Sequence, residues 1–265
     1  AIYARINQNG PELGSHWDML HQSPFSIGIA AERDNIYWLF DGFHNTIAKY
    51  NFQDPHPDHE HGGEDHSDGI IYRYDEVVVD RVPGLSSHMV VDSLNDMLYI
   101  CDTGNQRILR ININSGEIGS ILDPYGENIE GYYSMINADF ETVIDSGLVL
   151  PTGIDIYNTF LLVSDYSTGE IFIYDLQVPN QFQLIHTLET GIIEDLMSIK
   201  VGPDGTIWFV STNANKLYQI LPPINGDFDG DNSISLNDFI VLLSHILNTN
   251  SIIDENLFLA DLNYD

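Results

Sequence analysis

Cations are what this chain of 265 residues has least of: nine Lys and Arg residues stand against 40 Asp and Glu, for a net charge of -31 at pH 7. Such a surface repels nucleic acid and anionic membranes at short range, which excludes both as partners and makes cations the expected companions. It suits a saline or calcium-rich setting, where screening and bound divalent ions relieve self-repulsion. Cysteine is nearly absent too. The single residue, Cys101, lies in an apolar strand pattern, which rules out a disulfide framework and assigns it to core packing. No run approaches the roughly 20 apolar residues that a membrane span requires, the longest candidate being 239–247. G-x-S-x-G, P-loop and HExxH patterns are missing as well. The chain starts without Met and without a signal peptide, and it stops inside a motif described below, so it reads as a segment of a longer, processed chain.

What is present is a repeat. Trp38-Leu39-Phe40-Asp41, Tyr99-Ile100-Cys101-Asp102, Leu162-Val163-Ser164-Asp165 and Trp208-Phe209-Val210-Ser211 align without gaps. Ile47, Ile108, Ile171 and Leu217 follow at one offset, and Tyr50, Ile111, Tyr174 and Ile220 at another, as in a repeated β-hairpin. A short apolar run precedes each hairpin, at 27–31, 88–91, 153–156 and 199–201, and outer fourth strands are expected at 76–82, 117–122 and 182–188. Units of this kind are propeller blades, so the expected fold is all-β, a β-propeller over residues 1–222 with four visible blades. Residues 2–6 are a candidate strand for completing the last blade, with further blades outside the chain as the alternative. The turn carboxylates Asp41, Asp102 and Asp165 read as acceptors that tighten the hairpin turns.

The segment from Cys101 through Asp102, Thr103, Gly104, Asn105, Gln106 and Arg107 to Ile108 resembles the signature of NHL-repeat propellers, and Pro151-Thr152-Gly153-Ile154 resembles their inner-strand start. Amidating lyases of that type use inner-strand histidines for zinc; only His88 matches that placement, where Gly28, Gly153 and Ile199 stand in the other repeats. A second histidine feature is an insertion at 54–69, where His59 and His61 share one side of an extended chain and Gly62-Gly63 can fold Asp65 and His66 back towards them. His59, His61, His66, Asp65 and His88 are therefore the candidate transition-metal ligands, for zinc, copper or another first-row ion.

After Pro222-Pro223, residues 223–265 form a second expected domain. Counting Asp227 as position one of a calcium loop, Asp229, Asp231 and Asp238 fall at positions three, five and twelve, with Ser233 offering its carbonyl at seven. Leu236, Phe239, Ile240, Leu243, Ile246 and Leu247 then recur at helical spacing. A loop running straight into a helix resembles a type I dockerin repeat of the EF-hand kind. A partial second loop starts at Asp261, Asn263 and Asp265, 34 residues on. The resemblance implies bound Ca2+, an extracellular location and a cohesin-like or cell-surface partner, although Leu236 and Asn237 occupy the positions where a hydroxyl pair often contacts cohesin. Two functions stay open at this stage: a secreted or surface-displayed binding propeller with a calcium-binding attachment module, or a metal-dependent lyase or hydrolase with a histidine-lined site at the channel mouth.

Overall fold

The computed structural model describes residues 22–52, 69–124, 129–177, 181–222, 226–227, 233 and 235–246. Contacts divide the chain into two units, one of Ala1–Val201 with Trp208–Tyr218 and one of Gly202–Ile207 with Gln219–Asp265.

The first unit is built from consecutive antiparallel meanders. Blade 1 contains β1 (Ser26–Ala31), β2 (Ile36–Asp41), β3 (Thr46–Asn51) and β4 (Ile70–Arg73). Blade 2 contains β5 (Met89–Asp92), β6 (Met97–Asp102), β7 (Arg107–Asn112) and β10 (Phe140–Ile144). Blade 3 is β11 (Pro151–Tyr157), β12 (Phe160–Asp165), β13 (Glu170–Asp175) and β14 (Gln183–Glu189). Blade 4 is β15 (Leu196–Val201), β16 (Ile207–Ser211) and β17 (Lys216–Ile220). The innermost strands β1, β5, β11 and β15 stand side by side in that order. This is the blade arrangement of a β-propeller.

Two of the expected outer strands differ from this arrangement. The 117–122 stretch is a strand, β8 (Glu117–Ile121), but it belongs to blade 1: with β9 (Gly131–Ile136) it forms a hairpin whose inner member pairs in parallel with β4. The chain thus leaves blade 2 after β7, widens blade 1, and returns as β10. Aromatic packing decides this choice. Tyr132 joins a buried cluster with Ala48, Tyr50 and Ile71, its hydroxyl accepts from Arg73 at 2.9 Å, and Tyr133 stacks on Tyr72 at 5.9 Å. The 76–82 stretch is not a strand at all. Val77 and Val79 are buried and Val78 is exposed, so the alternation is real, but the segment is the connection between blades, with Val79 N–H donating to the Asn45 carbonyl at 3.0 Å. Alternation reports burial on one side, not ladder pairing.

Each blade has a leading face that packs on the trailing face of the next. Trp38, Phe40 and Ile47 of blade 1 meet Met89, Leu98, Ile100 and Leu109 of blade 2. Tyr99, Cys101 and Ile108 of blade 2 meet Ile154, Leu161, Val163 and Phe172 of blade 3. Each fully buried side chain of this size contributes about 1.5–3 kcal/mol, so the interfaces between blades are the core of the unit. Residues 2–6 lie outside the described residues.

In the second unit, α1 (Leu236–Ile246) begins one residue after Ser235, whose hydroxyl accepts from Asn237 N–H at 3.1 Å as a helix cap. Phe239, Ile240 and Leu243, the apolar stripe expected from the spacing, are exposed. No described helix is long and apolar enough to cross a membrane.

Candidate functional site

The turns that follow the second strand of every blade lie at one end of the unit, here termed the upper face. At one repeat offset they hold Asn45 (φ 55°), Gln106 (φ 57°), Gly169 (φ 72°) and Asn215 (φ 51°), all in the left-handed region. Only residues that tolerate this region close such tight turns, and Gly169 also has no room for a Cβ, which would lie 2.6 Å from the Ile192 carbonyl oxygen.

The turn carboxylates act as the sequence suggests and also reach further. Asp41 Oδ1 accepts from the backbone N–H groups of Phe43 and His44 at 3.1 and 3.0 Å. Asp165 accepts from Ser167 and Thr168 N–H with one oxygen and from Val149 and Leu150 N–H with the other. Asp102 accepts from Asp80 N–H at 2.8 Å, from the Asn105 amide and from the Arg107 guanidinium. Asp102 and Asp165 thereby fasten a turn to the segment leading into their own blade's innermost strand. Blade 4 reverses the polarity: Ser211 occupies the turn position, and the carboxylate comes from Asp195 in the lead-in segment, accepting from the Ser211 and Thr212 hydroxyls and from Asn213 N–H. Burial raises the Asp195 pKa, yet these hydrogen bonds outweigh it and hold the group down at about 2, against an ordinary 3.8. Sequence alignment alone misses Asp195 because it lies outside the repeated hairpin.

Towards the centre, hydroxyl groups join the blades. Thr103 donates to the Pro151 carbonyl at 2.6 Å and contacts the Ser87 hydroxyl at 2.6 Å. Ser86 donates to the Met197 carbonyl at 3.0 Å, linking the lead-in of blade 2 to β15 of blade 4. Backbones touch here: a Cβ on Gly28 would lie 1.9 Å from the Ser87 carbonyl oxygen, and one on Gly153 would lie 2.6 Å from Ile199 N. His88 sits in this ring of close approaches, its N–H donating to the Thr152 carbonyl at 3.0 Å and its carbonyl accepting from Cys101 N–H. Its imidazole is half-buried, and burial pushes its pKa below the ordinary 6.5. Among the described residues, no group of three or more His, Cys, Asp or Glu side chains is placed to hold a metal ion.

At the rim of the upper face, blade 1 presents a different surface. Phe25 and Phe43 are 59% and 58% exposed, and the Arg81 guanidinium lies 4.6 Å from the Phe25 ring centroid. Phe25 holds φ at 60°, a strained setting for a bulky residue. His44 Nδ1 contacts Asp41 Oδ2 at 2.7 Å, in the place where Asn105 serves Asp102, so the pair is a variant of the turn fastening. Among the described residues, Arg33, Lys49, Arg73, Arg107, Arg110 and Lys200 each pair with a carboxylate, whereas Arg81 lies against the Phe25 ring and, like Lys216, makes no ion pair with a described residue. Nothing in the repeat pattern singles out Arg81; its signal is that unpaired guanidinium in so acidic a chain.

His59, His61, Asp65 and His66 lie outside the described residues. Asn51 and Ile70, which flank that insertion in the sequence, pair with each other at the end of blade 1 opposite the Asp41–Thr46 turn, whereas His88 belongs to the upper end. Of the calcium-loop residues, Asp227 is buried and Ser233 exposed, only the backbone of Asp238 is described, and Asp229, Asp231, Asp261, Asn263 and Asp265 lie outside the described residues.

No family model and no curated protein matches the chain. Solved structures do. A streptogramin B lyase shares 13% identity, covering 80% of this chain and 59% of its own, at a TM-score of 0.47. A luciferin-regenerating enzyme shares 14%, covering 73% and 60%, at 0.44. A catalytically inactive virginiamycin B lyase from Staphylococcus aureus, solved with quinupristin, shares 13%, covering 77% and 58%, at 0.42. The chain thus spans 58–60% of the length of these three proteins. None of these likenesses assigns chemistry to the present chain.

Proposed function

We propose that this chain is an extracellular binding propeller that carries a calcium-binding, dockerin-like attachment module. The observation that carries the binding reading is the division of labour on the upper face. Its central polar groups, Ser86, Ser87, Thr103, Thr152 and the buried carboxylates, are occupied in joining segments of the blades, while Phe25, Phe43 and Arg81 present exposed rings beside a guanidinium without an ion pair. Such a surface suits a ligand with an apolar ring face next to an anionic group. The test is retention of the full chain on immobilised uronic-acid and neutral polysaccharides. The reading expects Arg81→Ala to lose retention on the acidic matrix, and equal retention of variant and parent on both matrices refutes it.

The attachment reading rests on the loop pattern of 227–238, the buried Asp227 at its first position, and a helix that starts at its tenth. Asp227, Asp229, Asp231, Ser233 and Asp238 supply the oxygen donors a hard cation requires, and a bound Ca2+ would fix the loop against the capped start of α1. Calcium should therefore raise hydrogen-exchange protection of the α1 amides in the full chain, and Asp227→Ala should abolish that gain. Protection that is the same with calcium and with chelator rules the module out. A cohesin-like or cell-surface protein is the proposed partner of this module.

One observation favours a second reading, a metal-dependent lyase or hydrolase. Among the described residues the His88 ring makes no side-chain hydrogen bond, and it sits beside the close approaches of the innermost strands, where an imidazole could contribute to holding a zinc or copper ion. Loss of bound zinc or copper on His88→Ala would support it.

A further inference from the structure

Blade 1 closes its upper-face turn with side chains that the turn fastening does not require. The third residue after the turn carboxylate or hydroxyl is His44 in blade 1, Asn105 in blade 2, Thr168 in blade 3 and Ala214 in blade 4. Asn105 serves Asp102 through its amide at 2.9 Å, Thr168 serves Asp165 through its backbone N–H, and Ala214 N–H donates to the Ser211 hydroxyl at 3.1 Å. An imidazole is therefore surplus to the fold of this turn. The residue before it is Phe43, where Gly104, Ser167 and Asn213 stand in the other blades. The Phe43 and His44 rings meet edge to face, with centroids 4.9 Å apart. The segments that carry Phe25 and Arg81 seat directly on the same turn: a Cβ on Gly42 would lie 2.6 Å from the Phe25 carbonyl oxygen and 2.6 Å from Arg81 Cδ.

Asp41 fixes the imidazole. It is fully buried, takes Phe43 and His44 N–H on Oδ1, and meets His44 Nδ1 at 2.7 Å with Oδ2. An ionised carboxylate only accepts, so Nδ1 carries a proton and Nε2 is the nitrogen that changes state. Nε2 makes no hydrogen bond with a described residue, and the side chain is partly exposed. We propose, resting on the binding function given above, that His44 is a further ligand-contacting residue of the upper face: protonated Nε2 donates to the anionic group of the ligand, and Asp41 is its positioning residue. With the ring neutral, Nε2 presents a lone pair and offers an anion nothing. With the ring protonated, it presents an N–H on the turn against which Arg81 packs. Imidazoles change charge between about pH 5 and 8, so the ligand is held more tightly in mild acid. Asp41 and Arg81 are the charged groups that the described contacts bring to this turn. Tyr50 and Tyr132, which feel the Asp41 charge from β3 and β9, stay neutral throughout because burial raises the pKa of both.

The test is the dissociation constant of the full chain for soluble oligogalacturonate at about pH 8 and about pH 5.5, at constant ionic strength, with His44→Asn, His44→Thr and Arg81→Ala. Carboxylates titrate near pH 4, so the probe keeps its charge across this interval. Asn and Thr are the residues at this place in blades 2 and 3, so both His44 variants keep a turn that the chain already builds, and near-ultraviolet circular dichroism checks that they are folded. The parent should bind about tenfold more tightly at the lower pH, as one hydrogen bond between charged groups supplies, and both His44 variants should lose that gain. The other histidines and the general loss of negative charge in acid act on parent and variants alike. A gain that is equal in the parent and both His44 variants overturns the proposal, and if Arg81→Ala still abolishes binding, the upper-face reading stands without it. Binding that Arg81→Ala leaves unchanged, or a parent that binds at neither pH, removes that reading and this proposal together.

Discussion

Asp165→Ala removes one carboxylate and four hydrogen bonds at once. Its oxygens accept from Val149 and Leu150 N–H at 2.7 and 2.9 Å and from Ser167 and Thr168 N–H at 2.9 and 3.2 Å, and the residue is fully buried. Hydrogen bonds to a charged group contribute about 1.5–3 kcal/mol each, so simple addition gives roughly 6–12 kcal/mol. The sum overstates the loss. Val149 is exposed and Leu150, Ser167 and Thr168 are only partly buried, so water replaces part of what the carboxylate supplied. A loss of about 3–5 kcal/mol follows, in the range for disrupting a buried polar network. Asp175→Ala is the control: this carboxylate accepts from Gln177 N–H at 2.8 Å in an exposed turn and should cost less than about 1 kcal/mol. Urea unfolding followed by tryptophan fluorescence measures both, and Trp38, buried between blades 1 and 2, reports the transition. A loss below about 1 kcal/mol for Asp165→Ala, equal to the control, would refute the view that these carboxylates fasten the blades.

The other predictions concern acid, the added hairpin and the thiol. Asp195 has a folded pKa of about 2, depressed from 3.8, so its contribution is full above pH 4 and is lost as pH falls through about 2. Acid unfolding curves of Asp195→Asn should therefore be flatter than the parent's between pH 4 and 2. Parallel curves would contradict the assignment. Tyr132→Ala should cost about 3–5 kcal/mol, as large aromatic truncations do, and should expose the β8 and β9 amides to hydrogen exchange ahead of β2 and β3. Exchange that rises equally in all four strands would mean the hairpin is not separately held. Cys101 is fully buried, and burial raises its pKa well above 9, so a thiol reagent should label it only on unfolding. Rapid labelling of the native chain would show that the blade 2 and blade 3 interface opens.

Much of the architecture is legible in the sequence because a blade is a local unit. The four hairpins follow from matched offsets, since Trp38, Tyr99, Leu162 and Trp208 lie at equivalent places in the second strand of each repeat, and the outer strand expected at 182–188 forms as β14. Legibility ends where pairing becomes nonlocal. Nothing near 117–122 says that β8 will leave blade 2 for blade 1, because that choice rests on Tyr132 and Tyr133 meeting Ile71 and Tyr72. β10 escapes notice for the same reason: Phe140 and Glu141 are exposed, and pairing with β7 makes the strand. The turn role of Asp41, Asp102 and Asp165 can be read from their positions, but the second partners of Asp102 and Asp165 in the lead-in segments cannot. Blade 4, with Ser211 in the turn and Asp195 opposite, keeps the interaction while exchanging which segment supplies the acceptor. At the rim, exposure and missing ion pairs identify Arg81 and Phe25, and both are properties of the fold rather than of a motif.

Elemental analysis of the full chain, purified without added metal and compared with Asp227→Ala/Asp238→Ala and His88→Ala variants, tests the functional account most directly. A binding propeller with a calcium module predicts calcium that falls by about one equivalent in the Asp227/Asp238 variant, and a transition-metal content that His88→Ala leaves unchanged. Calcium equal in parent and variant, together with one equivalent of zinc or copper that disappears with His88, would contradict it.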